Sequence, residues 1–133
     1  MKTNPEIIQA LYTHFAARNL EEIKRLFDGQ IQWQQMSGFP NGGTYIGFDA
    51  IYQHVFQGFS ENWSGWKAEV NEYIDAGDSV FALGNYKGTY LKTGRSVEAS
   101  FAHHYVIEGG KIKSFTQYTD TLLIANAMGV ESN

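Results

Sequence analysis

The chain has 133 residues and a formal net charge of −4, and its ten basic side chains are scattered, so it carries no electrostatic footprint for nucleic acid. It contains no cysteine, which excludes disulfides, thiolate nucleophiles and thiolate metal ligands and fits a reducing compartment. With no apolar run near the roughly 20 residues of a membrane span and no signal-peptide core in MKTNPEIIQ, a cytoplasmic single domain over 1–133 is expected.

Asn4-Pro5-Glu6 reads as a helix start, with Asn4 as N-cap and Pro5 at the first helical position. Ile7, Ile8, Leu11, Tyr12, Phe15 and Ala16 then form an apolar stripe at helical spacing. Asn19 restarts the helix, with Glu22 three residues on, and Leu20, Ile23, Leu26 and Phe27 give its apolar side. Asp28-Gly29 stops it. Gln30 to Met36 alternates like a strand, with Ile31 and Trp33 on one side. Ser37 to Gly47 is glycine-rich and is expected to form a mobile pocket rim. Asp49 is expected to cap a third helix built on Ile51, Val55 and Phe59.

From Gly65 the pattern changes to long strands: Trp66 to Ile74, Val80 to Tyr90, Val97 to Ile107 and Ile112 to Asp120. Short turns between them make neighbours antiparallel. A short helix, Thr121 to Met128, closes the chain. Helices around one strand, followed by a four-strand meander, predict an α+β fold.

The last hairpin turns at Gly109-Gly110. A two-residue loop pairs Ile107 with Ile112, Tyr105 with Ser114, His103 with Thr116 and Phe101 with Tyr118. Side-chain alternation then puts Phe101, His103, Tyr105, Thr116, Tyr118 and Asp120 on one face, with His104, Phe115 and Gln117 on the other. A two-residue turn at Thr93-Gly94 sets Gly84 opposite His103 and Tyr86 opposite Phe101, and the missing side chain at Gly84 leaves room for a ligand. The opposite face, with Phe81, Leu83, His104, Val106 and Phe115, is too apolar for water and predicts a homodimer.

Several stretches carry a family resemblance: LYTHFAARNLEEIKRLF, IQW, GTYIGFDAI, GNYKGTYLKTGRSV, FAHHYVIEGGKI and SFTQYTDT. Through them the chain resembles the SnoaL-like polyketide cyclase and ketosteroid-isomerase-related group of the nuclear transport factor 2-like superfamily. The resemblance implies a cone-shaped α+β barrel, with a curved, mostly antiparallel sheet wrapped around N-terminal helices and dimers formed through its convex face. It also implies a pocket carboxylate at Asp120 acting as general acid/base in an aldol closure. The family histidine falls on His103 and the pocket tryptophan on Trp33. His104 stands where many members carry an apolar residue.

Two readings of Asp120 stand together: an enclosed acid/base whose pKa rises in an aromatic pocket, and the N-cap of the last helix. His103 reads either as a ligand contact or as a bonded core histidine. Tyr12, Trp33, Tyr86, Phe101, Tyr105 and Tyr118 are candidate ligand-binding residues. Neighbouring strand residues face opposite sides, so His103-His104 is no metal site, and neither metal nor cofactor is expected. The resulting expectation is a cofactor-independent pocket for a small apolar carbonyl compound, serving isomerisation or aldol-type cyclisation. Its alternatives are a non-catalytic binder of a small hydrophobic metabolite and a dimeric interaction module with a vestigial cavity. Water addition is a rival chemistry that wants further carboxylates or an arginine in the pocket.

Overall fold

The computed structural model describes residues 2–130. Helix α1, Asn4–Ala17, starts one residue earlier than the sequence suggests, because its N-cap is Thr3. The Thr3 hydroxyl accepts from Glu6 N at 3.3 Å, and the Glu6 carboxylate accepts from Thr3 N at 2.9 Å. This reciprocal box satisfies two orphan donors where an Asn4 cap would satisfy one. Arg18 ends α1 in the left-handed region at φ 55°. Helix α2, Leu20–Leu26, is capped by Asn19 as expected, and runs directly into strand β1, Phe27–Gln35.

Part of the glycine-rich stretch is a strand, β2, Gly43–Ile46, paired antiparallel to β1. Its neighbour Phe39 is buried in the core, so the segment is no rim over the cavity described below. Next comes one helical run: α3, Phe48–Ile51, a π-helical turn, Tyr52–Phe56, and α4, Gln57–Asn62. Its N-cap is Gly47 at φ 85°, and Asp49 lies inside the first turn instead of capping it.

Strands β3, Trp63–Ala76, β4, Ser79–Tyr90, β5, Ser96–Glu108, and β6, Lys111–Thr119, form the meander, and α5, Thr121–Met128, follows. The six strands form one sheet in the order β2-β1-β6-β5-β4-β3, with β1 parallel to β6 and the other pairs antiparallel. The fold is the expected α+β arrangement. Its first core joins Ile7, Ile8 and Leu11 of α1 to Ile31, Trp33, Tyr105 and Phe115 of the sheet. A second core gathers Phe39, Trp63, Tyr86, Phe101 and, from α5, Ile124 and Ala127.

Two register details correct the sequence reading. Ile107 pairs with Ile112 and Glu108 with Lys111 as expected, but Val106 then pairs with Ser114, so Lys113 forms a bulge. Beyond it His103 faces Gln117, Phe101 faces Thr119, and Tyr118 moves to the other face of the sheet. The cause is legible in burial: Ile112 and Phe115 are an odd three residues apart yet both are buried, which an unbroken strand forbids. Tyr90 N donates to Arg95 O at 2.9 Å and closes a β4–β5 turn two residues wider than expected, so Gly84 faces Phe101, Ala82 faces His103 and Tyr86 faces Ala99. A shift of two residues leaves every side chain on its expected face.

Gly84 leaves no room for a ligand. A Cβ there would lie 1.9 Å from the Glu69 carbonyl oxygen, because β3 bulges between Val70 and Glu72 and crosses close over it. The glycine serves backbone approach.

Candidate functional site

A cavity of about 420 Å³ opens between the inner face of the sheet and α1, α2 and the π-helical turn. That is within the range of small-molecule sites. Its wall is aromatic. Trp33 stacks on Phe115 with centroids 3.8 Å apart, as their pairing across β1 and β6 dictates, and Phe56 meets the Trp33 ring edge-on at 5.3 Å. Phe59 stacks on Trp66 at 4.6 Å. Exposed Arg18, Leu20, Ser60 and Lys67 mark the mouth.

At the floor, β5 and α1 meet in a polar chain. His103 Nδ1 lies 2.5 Å from the Tyr12 hydroxyl, and His103 Nε2 lies 2.5 Å from the Tyr86 hydroxyl. Tyr12 is also 2.7 Å from the Tyr105 hydroxyl. Gln117 Nε2 donates to the Tyr86 oxygen at 2.8 Å, and Met36 N donates to Gln117 Oε1 at 3.0 Å, which fixes the orientation of that amide. Behind the imidazole, Phe101 stacks at 3.9 Å.

Burial sets the protonation of these groups. It pushes the His103 imidazole well below its ordinary value, so the ring is neutral. Burial, and after it the neighbouring phenols, push Tyr12 and Tyr105 well above the ordinary tyrosine value, and Tyr86 also rises through burial. Three phenols and a neutral imidazole hold four protons, and three links join them. One phenol proton is therefore left over, on Tyr12, Tyr86 or Tyr105 according to the imidazole tautomer. All three residues line the cavity.

Of the residues singled out from sequence, Tyr12, Trp33, Tyr86, His103 and Tyr105 line this cavity together. Phe101 supports His103 from behind and is not part of the lining. Tyr118 is 51% exposed on the opposite face, moved there by the bulge at Lys113. Asp120 is exposed and is the N-cap of α5, its Oδ1 accepting from Leu123 N at 3.1 Å. Asp120 is therefore not enclosed, and among the described residues the lining holds no Asp or Glu.

Sequence reading missed Gln35, Phe115 and Gln117. Gln35 was within reach, because it continues the alternation of Ile31 and Trp33 by one more step. Phe115 and Gln117 required the bulge.

The family model described as SnoaL-like domain matches residues 8–115. No curated protein matches the chain. Among solved structures, an NTF2-like protein from Burkholderia thailandensis E264 is 38% identical, with 96% of this chain and 98% of that one covered and a TM-score of 0.93. TerC, co-crystallised with polyporic acid, is 24% identical over 93% of this chain and 96% of its own, with a TM-score of 0.84. A Catenulispora acidiphila protein of ketosteroid isomerase-like fold, in complex with trimethylamine, is 19% identical over 97% of this chain and 96% of its own, at 0.81.

Proposed function

Because the chain belongs to the SnoaL-like domain family, we propose that it is a single-domain pocket protein that binds a ring-sized apolar carbonyl compound and donates a phenol proton to its oxygen. The observation that carries this reading is the proton left over in the Tyr12–His103–Tyr86–Tyr105 chain. In an aromatic cavity such a donor is worth far more than in water, and it supports negative charge developing on a carbonyl oxygen. That is the electrophilic half of an isomerisation or an aldol-type closure.

The chain of links also supports a proton relay. When Tyr12 gives its proton to the ligand oxygen, His103 Nδ1 re-protonates Tyr12. Tyr86 then gives its proton to Nε2 and takes one from a second position on the ligand. One proton enters as one leaves, so no cofactor is consumed. On this reading the acid/base role suggested for Asp120 passes to the phenols and His103.

The test is infrared spectroscopy of bound 2-acetylnaphthalene. The carbonyl band is expected to move to lower wavenumber in the wild type and to move back in Tyr12→Phe and Tyr86→Phe. An unshifted band in the wild type rules the reading out. Binding without turnover is the second reading, favoured by the lack of a carboxylate in the lining among the described residues. It gives saturable thermal stabilisation by ligand with no product. An open volume of about 420 Å³ argues against a vestigial cavity.

We infer in addition that two copies pair through the convex face of the sheet. Ile74, Phe81, Leu83, Ala102, His104, Val106 and Tyr118 share that face by register.

A further inference from the structure

Gln35 is 3% exposed and lines the cavity. Trp33 Nε1 donates to its Oε1 at 3.0 Å. An indole nitrogen only donates, so the amide orientation is fixed by chemistry, with Nε2 on the other side. Among the described residues Gln35 Nε2 has no hydrogen-bond partner, while no fully enclosed side-chain polar atom lacks one. Nε2 is therefore in contact with open space, and the open space beside Gln35 is the cavity.

We propose that Gln35 recognises a second oxygen of the ligand, so that the cavity selects ring compounds carrying two oxygen acceptors over those carrying one. The inference rests on the reading that the cavity takes a ring-sized carbonyl compound. Gln34 pairs with Thr116, which puts Gln35 beside Gln117, and Gln117 pairs with His103. Gln35 and His103 thus sit two strand spacings apart on one row of the sheet, about 10 Å at the backbone. That span matches a fused pair of rings with an oxygen-bearing group at each end. Two other polar groups of the lining are already engaged. Ser60 donates to Gln57 O at 3.0 Å, and Lys67 pairs with Glu69 at 3.0 Å. The Gln35 amide and the spare phenol are both donors, and a buried donor rejects a ligand that leaves it unpaired.

The experiment compares dissociation constants for 2,6-diacetylnaphthalene and 2-acetylnaphthalene in the wild type and in Gln35→Met. The diketone is expected to bind the wild type about tenfold more tightly than the monoketone, as one neutral buried hydrogen bond allows, and the ratio is expected to fall to about one in Gln35→Met. Should Gln35→Met not fold, the wild-type side-chain amide resonance of Gln35 gives the second measurement. It is expected to move on saturation with the diketone and not with the monoketone. A wild-type ratio near one, a ratio unchanged in the variant, or an unmoved amide resonance overturns the inference. If the monoketone binds with a shifted carbonyl band and the diketone shows no preference, only this inference fails. If neither ketone binds, the pocket reading fails with it.

Discussion

His103 and Tyr12 are 91 residues apart in sequence and 2.5 Å apart in space, and their contact ties the middle of β5 to the middle of α1. The Tyr12–Tyr105 hydrogen bond, at 2.7 Å, is a second polar tie between the same two elements. Both ring nitrogens of His103 are engaged by phenols, and the residue is 4% exposed. A charged imidazole has no place there.

The consequence is a pH-dependent stability. The folded-state pKa of His103 is depressed well below 6.5 by burial, whereas the unfolded chain binds a proton near that value. Below pH 6.5 the unfolded state holds more protons than the folded state, so stability is full above that pH and declines as pH falls toward the folded value. The slope contributed approaches about 1.4 kcal/mol per pH unit. Urea unfolding at pH 7.5, 6.5 and 5.5 should show this decline in the wild type and a flatter profile in His103→Asn. Parallel profiles would mean that the imidazole is not held neutral.

Gly84 offers a sharper stability test. A methyl group there meets the Glu69 carbonyl oxygen at 1.9 Å and carbon atoms at 2.8 and 2.9 Å, all backbone. No side-chain rotation relieves that, so β3 must leave its bulge. Gly84→Ala is expected to cost about 3 kcal/mol or more. Gly29→Ala, in β1, meets nothing within 4 Å and is expected to be neutral or to stabilise by about 0.5 kcal/mol. Equal midpoints for the two variants in chemical denaturation would refute the close approach.

How far the sequence could be read follows from these same features. The hairpin at Gly109-Gly110, the antiparallel meander and the apolar stripe of α1 are written in local chemistry, through turn residues and period. The site was legible wherever an even shift occurred: the wider β4–β5 turn displaced Tyr86 by two places and left it facing the cavity. One inserted residue, Lys113, had the opposite effect and turned Tyr118 outward and Phe115 and Gln117 inward. A period-two argument fails completely at a bulge, and the sign of the bulge was the odd spacing of Ile112 and Phe115. Close backbone approach at Gly84 left no local signal, because it depends on a strand 15 residues away in sequence.

Asp120 separates a cap from an acid. As N-cap its side chain accepts from Leu123 N, a role that Asn fills and Ala does not. Asp120→Asn is expected to change stability by less than about 0.5 kcal/mol, and Asp120→Ala to cost about 1 kcal/mol. Neither should alter the affinity for 2-acetylnaphthalene, whereas Tyr86→Phe should weaken it. Loss of ketone binding in a fully folded Asp120→Asn protein would return the carboxylate to the site.

The convex face carries the remaining prediction. Ile74 is 40% and Tyr118 51% exposed there, flanking the half-buried Phe81, Leu83 and Val106. Phe81 stacks on His104 with centroids 4.5 Å apart, which makes a flat aromatic step in the middle of the strip. An antiparallel sheet usually leaves polar side chains on its solvent face, and covering apolar area is worth about 25 cal/mol per Å². A self-complementary pairing across a two-fold axis would bury this strip on both copies at once. A charge at its centre, Leu83→Lys, appears twice in such an interface and cannot be paired by its own copy. Light scattering at micromolar concentration is expected to give twice the 15.0 kDa chain mass for the wild type and the single mass for Leu83→Lys. A monomeric wild type would mean that the strip stands in water despite its composition, and the pairing would have to be abandoned.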